Sequence, residues 1–531
     1  MADLSNKWTL GKCTKKYKQM KLSHYTLKNI SEELVTLPNP EMFDLPEKVL
    51  QFGTGRLLRG LPDYFIDKAN REGIFNGRIV VVKTTSKGDP IAFEKQDGLY
   101  TICERGIQNG EKIEDNVISS AISRVLIAKD EWEDVLKCAH NEHLSVVISN
   151  TTEVGIRQVN DNVHRYPPVS FPGKLLSFLY ERFNAFNGSR ESGLVVVPTE
   201  LVPDNGKKLE AIVLELAYLN DLEDEFMEWL EESNHFCNSL VDRIVTGMPD
   251  EETRKAIEDE LEYKDDLLTV TEVYRLWAIE GNDHVKKILS FCHADEGVII
   301  EDNIELHREL KLRLLNGTHT ICCGIAFLAG YETVRDSMES EIMSPLVIDL
   351  MNNEISPSIP FKIDDSIKQL FISKVLDRFR NPHISHYWRN ITFNYTSKMK
   401  TRCIPLLINY YKINNSVPKL FSFGFAAYLF FMKATKQSGN EFFGEFNNGY
   451  YLIDDEMAEF YYYLWQSHSA GTIVREVFEN VTLWGADLIL LPGFENEVTN
   501  YLTLICENGM AYVLENLLFR EVIDKKNHNM G

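Results

Sequence analysis

Short apolar runs separated by amphipathic stretches organise the first half of the chain. Residues 48–52 form a strand-length apolar run that ends at Gly53-Thr-Gly55. Apolar positions then recur every three or four residues through Leu57, Leu61, Tyr64 and Phe65, which predicts one amphipathic helix over 57–72. Further apolar runs follow at 78–82, 144–148 and 194–197, the last two each preceded by a helical stretch. Strands alternating with helices predict an α/β fold with a parallel, doubly wound sheet, here across 46–249. A polar, lysine-containing lead-in of residues 1–45 precedes it, closed by Pro38, Pro40 and Pro46.

After Pro249 the pattern changes to long acidic amphipathic segments, such as 251–262 and 305–328, with few strand-like runs. Residues 250–531 therefore read as a mainly α-helical second domain. The cleft between two such domains is the expected place for a substrate. The longest apolar run, 423–432, is far too short to span a membrane and predicts a buried helix.

Composition narrows the function. A chain of 531 residues exceeds what one hydrophobic core holds, and 44% hydrophobic with 25% charged residues is ordinary for a folded soluble protein. The net charge of −23 repels nucleic-acid phosphates and anionic membranes, so neither is an expected partner. It also repels anionic small molecules, so a site for an acid must hold its own cations. The nine cysteines include no Cys-x-x-Cys pair, and no zinc-ligand spacing occurs. Free thiols, and an N-terminus without an apolar signal core, predict a cytoplasmic, metal-independent protein. The pattern carries no signature of oligomeric state.

Two segments carry chemistry. Gly53-Thr-Gly55 lies between a predicted strand and helix, where glycines let backbone approach a pyrophosphate and the helix N-terminus offers free N–H groups. The spacing departs from G-x-G-x-x-G, because Leu58 stands at the third position and the next glycine is Gly60. The acidic residue expected at the end of the second strand, for the ribose hydroxyls, is absent; that strand ends at Val82-Lys83. Lys83 would tolerate a 2′-phosphate, so NAD and NADP both remain open on this segment.

The second segment is Lys311-Leu-Arg-Leu-Leu-Asn316-Gly-Thr-His319. At about 100° per residue Lys311, His319 and Asn316 share one broad face of an α-helix. Oxidising an alcohol needs a base for the hydroxyl proton and donors that polarise the nascent carbonyl. A desolvated lysine can be that base, and an Asn amide and a His ring can be those donors. Gly317, costly inside a helix, suggests close approach by a ligand or another backbone.

The chain resembles the polyol-specific long-chain dehydrogenases, which include mannitol dehydrogenases, fructuronate reductases and tagaturonate reductases. The resemblance is carried by Gln51–Gly55, Ser149–Glu153, Phe236–Ile244, Leu314–His319 and Arg378–Pro382, in collinear order. It implies a Rossmann-like N-terminal domain, an NAD cofactor and a sugar-derived small-molecule substrate. It makes Lys311 the catalytic acid–base, with Asn316 and His319 orienting substrate oxygens. Cofactor contacts fall on Val49, Leu50, Gln51, Phe52, Gly53, Thr54, Gly55, Arg56, Leu57 and Leu58, and on Asn150, Thr151 and Glu153.

One segment discriminates within the family. Where mannitol dehydrogenases and fructuronate reductases carry Cys-Asp-Asn, this chain reads Thr199-Glu200-Leu201, so that Asn's role has no counterpart here. The Glu-Leu pair is similar to tagaturonate reductases and implies NADH-dependent, reversible reduction of D-tagaturonate to D-altronate. Fructuronate reduction and mannitol-type polyol oxidation are the alternatives. A non-catalytic dinucleotide-binding regulator is more remote, since it would not need Lys311. For a sugar-acid substrate the candidate cations are Arg378, Arg380, Lys398 and Arg402. Asp242 with Arg243 is either a buried ion pair or a substrate-facing pair; Asp242, Arg378 and Lys398 are the residues assigned to substrate.

Overall fold

In the computed structural model, which describes residues 20–85, 90–151 and 155–516, six strands pair in parallel to form one sheet. Across the sheet they run Ile122–Ile127, Arg78–Lys83, Glu47–Phe52, Val146–Ser149, Val195–Pro198 and His235–Phe236. The first strand in sequence thus lies at the centre, flanked by the second and the fourth. This is the doubly wound order, which opens a ligand crevice where the winding reverses, beyond the carboxyl ends of the first and fourth strands. Phe52 stands opposite Val82 on one side and Ser149 on the other, so the turns that follow all three strands meet at this reversal.

The strands read as continuous apolar runs because both faces are covered. Val49, Ile79, Val81 and Ile148 pack into one apolar layer, and Leu50, Phe52, Val80 and Val147 into the other. The predicted helix over 57–72 is two helices, Arg56–Gly60 and Pro62–Arg71. Pro62 forces the break: it lacks an N–H, and it drives Leu61 out of the helical region to φ −132°, ψ −78°.

Strands do not stop at residue 250. Thr269–Glu272 pairs in parallel with Tyr100–Gln108, in a sheet completed by Val245–Gly247 and Glu111–Ser119. Ser239–Asp242, Leu276–Glu280 and Val298–Glu301 form a three-stranded sheet. Thr269–Glu272, Leu276–Glu280 and Val298–Glu301 fall in the part whose pattern reads as mainly helical, because they are short and some carry polar residues, as in Thr269-Val-Thr-Glu272. From Glu305 onward helices dominate, interrupted by a hairpin system at 434–452. The run at 423–432 lies in the buried helix Lys419–Phe431. No helix among the described residues is long and apolar enough to cross a membrane.

Residues 20–45 of the lead-in lie against the sheets. Met20–Lys21 pairs with Tyr263–Lys264, and Leu22, Ile30 and Val35 are buried beside Leu99, Cys103 and Tyr263.

The segment bearing Lys311 departs from α geometry. Leu310–Gly317 is a π-helix, continued as an α-helix over Thr318–Leu328. Its i→i+5 winding places Lys311 and Asn316 one turn apart on the same side, closer in direction than ideal α spacing puts them. Gly317 has only ordinary contacts where a Cβ would stand, 3.4 Å from Leu406 Cδ1, so no close approach requires it. The crowded glycine is Gly424, where a Cβ would come within 2.9 Å of the Ile321 carbonyl, because helices 318–328 and 419–431 cross there.

Candidate active site

The glycine loop begins where the central strand ends. The Gly53 N–H donates to the Val82 carbonyl at 3.0 Å, and the Asn150 N–H donates to the Phe52 carbonyl at 3.1 Å, tying three strand ends together. Gly53 adopts φ +129°, and a Cβ there would stand 2.9 Å from Leu58 Cδ1 and 3.0 Å from the Asn150 carbonyl. Only glycine fits such a conformation without strain. Gly55 differs: no described residue lies within 4 Å of its Cβ position, which leaves room for a ligand at the backbone before helix 56–60. Gly60 packs that helix against the sheet, since a Cβ would press on Val245 and Thr271.

Arg56 is turned aside to the Thr246 carbonyl at 2.8 Å. Of the residues assigned here to a dinucleotide, Val49, Leu50, Gln51 and Phe52 are buried strand positions and Leu58 is core, so their route to a ligand is through backbone. Thr54 borders an open cavity with Lys83, Pro90, Lys95 and Asp266, beside the tip of the second strand. Lys83 is buried and donates to the Thr85 carbonyl at 2.5 Å. The Glu153 assignment lies outside the described residues.

Asn150 and Thr151 are held by their neighbours at the fourth and fifth strand ends. The Asn150 amide donates to Thr199 Oγ1 at 2.9 Å, while the Thr151 N–H and hydroxyl donate to Glu200 at 2.7 and 2.9 Å. Burial pushes the Glu200 carboxyl up, against the pull of those donors. Glu200 thus positions the turn, whereas Leu201 is exposed. The Thr-Glu-Leu segment therefore supports the loop and does not line the cleft described next.

That cleft, of about 240 Å³, lies between the sheet-bearing and helical parts of the chain. Asp242 and Ile244 line it from one side; Lys311, Asn316, His319, Arg335, Arg378, Phe379 and His386 line it from the other. Three segments far apart in sequence meet here because the π-helix packs against helix Asp365–Phe379 and below the strand ending at Asp242.

Lys311 is the centre. Its ammonium donates to the Val241 carbonyl at 2.8 Å and lies 3.9 Å from Asp242 Oδ1. Burial pushes its pKa below the ordinary lysine range; the Asp242 carboxylate opposes this and the Arg378 guanidinium reinforces it. His319 is buried, stacked on Phe379 at 4.4 Å between ring centroids and edge-on to His386 at 4.9 Å. Burial, with His386 and Arg378 adding to it, holds His319 well below its ordinary value, so the ring is neutral. Its Nε2 has no hydrogen-bond partner among the described residues, which leaves a buried polar atom for a substrate oxygen. His386 is likewise neutral, pushed down by burial to about 4.

Arg378 sits behind this group in a charge cluster. Its guanidinium bridges Asp242 at 2.8 and 3.0 Å and Glu272 at 2.8 and 3.0 Å, and lies over the Tyr274 ring. Burial alone would raise the Asp242 carboxyl, but Arg378 and Lys311 bring it below the usual range. Glu272 stays raised, because its burial outweighs the same guanidinium. Arg378 is thus committed to protein carboxylates.

Asp242 and Arg243 do not pair with each other. Successive strand residues point to opposite faces, and Arg243 turns inward to Glu104 and the Gly60 carbonyl. Lys398 donates to the Ile391 carbonyl at 3.0 Å, and Arg402 to Thr320 Oγ1 at 3.3 Å; neither they nor Arg380 line the cleft. Sequence reasoning missed Glu272, Arg335, Phe379 as the His319 stacking partner, and the cleft position of His386. Phe379 and His386 had a signal, their nearness to Arg378 in sequence. No cluster of three or more potential metal-ligating side chains occurs among the described residues.

Comparison with known proteins agrees with this architecture. The mannitol dehydrogenase Rossmann-domain model matches residues 47–291, and the mannitol dehydrogenase C-terminal-domain model matches 303–506. An altronate oxidoreductase of Bacillus subtilis is 38% identical, covering 88% of this chain and 95% of its own. One from Halalkalibacterium halodurans is 35% identical, covering 93% and 98%. Two solved structures share the fold. A Pseudomonas fluorescens mannitol 2-dehydrogenase, in ternary complex with NAD and D-mannitol, has a TM-score of 0.67 at 22% identity, covering 94% of this chain and 99% of its own. A D-sorbitol dehydrogenase in substrate-free form has a TM-score of 0.73 at 20% identity, covering 93% and 100%. With both domain models matched in order along most of its length, this chain belongs to the mannitol dehydrogenase family and is an oxidoreductase acting on CH–OH groups.

Proposed function

We propose that this chain reduces D-tagaturonate to D-altronate, reversibly, with NADH. The reading is carried by one observation: a half-buried Lys311, its pKa lowered by desolvation, shares a cleft with Asn316 and with a His319 Nε2 that has no partner among the described residues. The substrate assignment draws on the altronate oxidoreductases that this chain resembles over most of its length.

The dinucleotide would be held at the Gly53–Gly55 turn, over Asn150 and Thr151; the open face at Gly55 fits a pyrophosphate. Bound there, it supplies the hydride acceptor or donor. Lys311 carries the proton: as ammonium it donates to the carbonyl oxygen in reduction, and as free amine it takes the hydroxyl proton in oxidation. Asn316 donates to the same oxygen as charge develops on it. The neutral His319 holds a neighbouring hydroxyl through Nε2. Asp242 and Arg378 fix the field in which Lys311 titrates.

The choice of NADH follows the family resemblance; Lys83 donates to the Thr85 carbonyl but keeps its charge beside the Thr54 cavity. Gly53→Ala is expected to weaken NADH binding about 10-fold or more, since strain of about 1–3 kcal/mol enters at a left-handed position; fluorescence titration of bound NADH measures this.

The test of the function is nucleotide absorbance followed against D-tagaturonate, D-fructuronate, D-fructose and, in reverse, D-altronate and D-mannitol. D-tagaturonate with NADH should give the highest kcat/KM. Equal or better turnover of the neutral sugars would overturn the sugar-acid assignment and leave the family unchanged. Better turnover of D-fructuronate would exchange one ketouronate for another.

A further inference from the structure

A sugar acid must meet a cation in this cleft, and the protein's net charge of −23 makes that need acute. Among the described residues, the cations lining the cleft are Lys311, Arg335 and Arg378. Arg378 makes four hydrogen bonds to two buried carboxylates, Asp242 and Glu272. Lys311 donates to the Val241 carbonyl, stands near Asp242, and is assigned to the reacting oxygen. These two cations and two carboxylates balance one another, and His319 and His386 are neutral. Arg402 acts on His319 and Lys311, and Lys398 on His319, from behind the lining, so among the groups that line the cleft Arg335 is the cation outside this balance.

Arg335 is different. Its side chain is 43% exposed, and among the described residues its ion pair is to Glu339 at 2.8 Å, on the same helix and more exposed still. Such a surface pair contributes little and exchanges readily. Its backbone is firmly placed: Thr333 and Asp336 cap the helix Val334–Glu339 reciprocally. Thr333 also forms an antiparallel bridge with Tyr387, and the Val334 N–H donates to the His386 carbonyl at 2.9 Å. A rigid anchor thus carries an available, planar two-pronged donor into the cleft, the geometry that suits a carboxylate.

We propose that Arg335 binds the substrate carboxylate and makes the site selective for sugar acids over neutral sugars. The assignment rests on the ketouronate reading above. A ketouronate carries its carboxylate and its reacting carbonyl on separate carbons. With the carbonyl at Lys311 and Asn316, the acid end engages Arg335, which releases Glu339.

Arg335→Ala and Arg335→Lys test this in steady-state kinetics on D-tagaturonate and D-fructose. Losing a charge-assisted pair should raise KM for D-tagaturonate about 10- to 100-fold, with kcat little changed. Selectivity, as the ratio of kcat/KM for the two substrates, should shift towards fructose by the same factor. Arg335→Lys should recover part of the loss, because it keeps the charge without the fork. An unchanged KM for D-tagaturonate would overturn the proposal. Equal losses on both substrates would do so too, by showing a purely structural role. A wild-type chain that reduces no ketouronate would remove the substrate reading and this assignment with it.

Discussion

Lys311→Ala is expected to lower kcat about 10²- to 10⁴-fold in both directions, the usual worth of a positioned acid–base group. Folding should survive, because the ammonium's own hydrogen bond is to a single carbonyl, Val241. NADH titration, at a distance from the change, should give nearly the wild-type affinity. The pH profile is an independent check. Oxidation needs the free amine, so its rate should rise with pH through the Lys311 pKa, below the ordinary lysine value because of burial. Reduction needs the ammonium and should fall over the same range. Asp242→Asn removes the neighbour that raises that pKa, so the rising limb of oxidation should move to lower pH. A Lys311→Ala variant with most of its kcat, or an Asp242→Asn profile displaced to higher pH, would remove Lys311 from the mechanism.

Arg378→Met should produce the largest loss of stability. It leaves Asp242 and Glu272, both buried, without their shared cation. Breaking a buried pair from one side typically costs about 3–5 kcal/mol, because the remaining charge is uncompensated. The triple change Arg378→Met, Asp242→Asn, Glu272→Gln should recover much of that, since no charge is then stranded. The pH dependence has a definite sign. Without Arg378 the two carboxyls have folded-state pKa values raised above their unfolded ones. Protonation then favours the folded state, so the gap in melting temperature from wild type should narrow as pH falls towards the carboxylate range. Differential scanning calorimetry across pH would show it. An unchanged melting temperature would mean that the cluster does not hold the strand and helix together.

Much of the architecture was legible along the chain. Continuous apolar runs at 48–52, 78–82, 144–148 and 194–197 specify strands covered on both faces, and both faces are covered. The loop at Gly53–Gly55 was readable because a close turn between strand and helix admits few residues, and its φ of +129° is the reason. Lys311, Asn316 and His319 were found as a set because they lie within one helical segment, where spacing in sequence becomes spacing on a face.

Other features depended on contacts between distant segments. The break at Leu61 is not one of these: it follows from Pro62, a local signal that the periodicity concealed. The strands between 263 and 301 were hidden because their polar residues are satisfied by remote partners. Glu272 accepts from Arg378 and from the Ile244 N–H, and no local pattern announces either. The π winding at 310–317 could not be read from residue type, since a helix takes the wider turn when its neighbours fill the space around it.

The sequence by itself determined the fold class, the glycine turn after the first strand and the grouping of Lys311, Asn316 and His319 on one cleft, because each of these is encoded in short stretches of backbone. Only the tertiary structure decided which cations serve the protein and which face the cleft. Arg378, an apparent substrate ligand, is neutralised by two carboxylates from other strands, and Arg335, on an unremarked short helix, is left facing the cleft. The physical reason is that a charge's availability depends on what surrounds it in space, and the carboxylates that neutralise Arg378 lie 106 and 136 residues away in sequence.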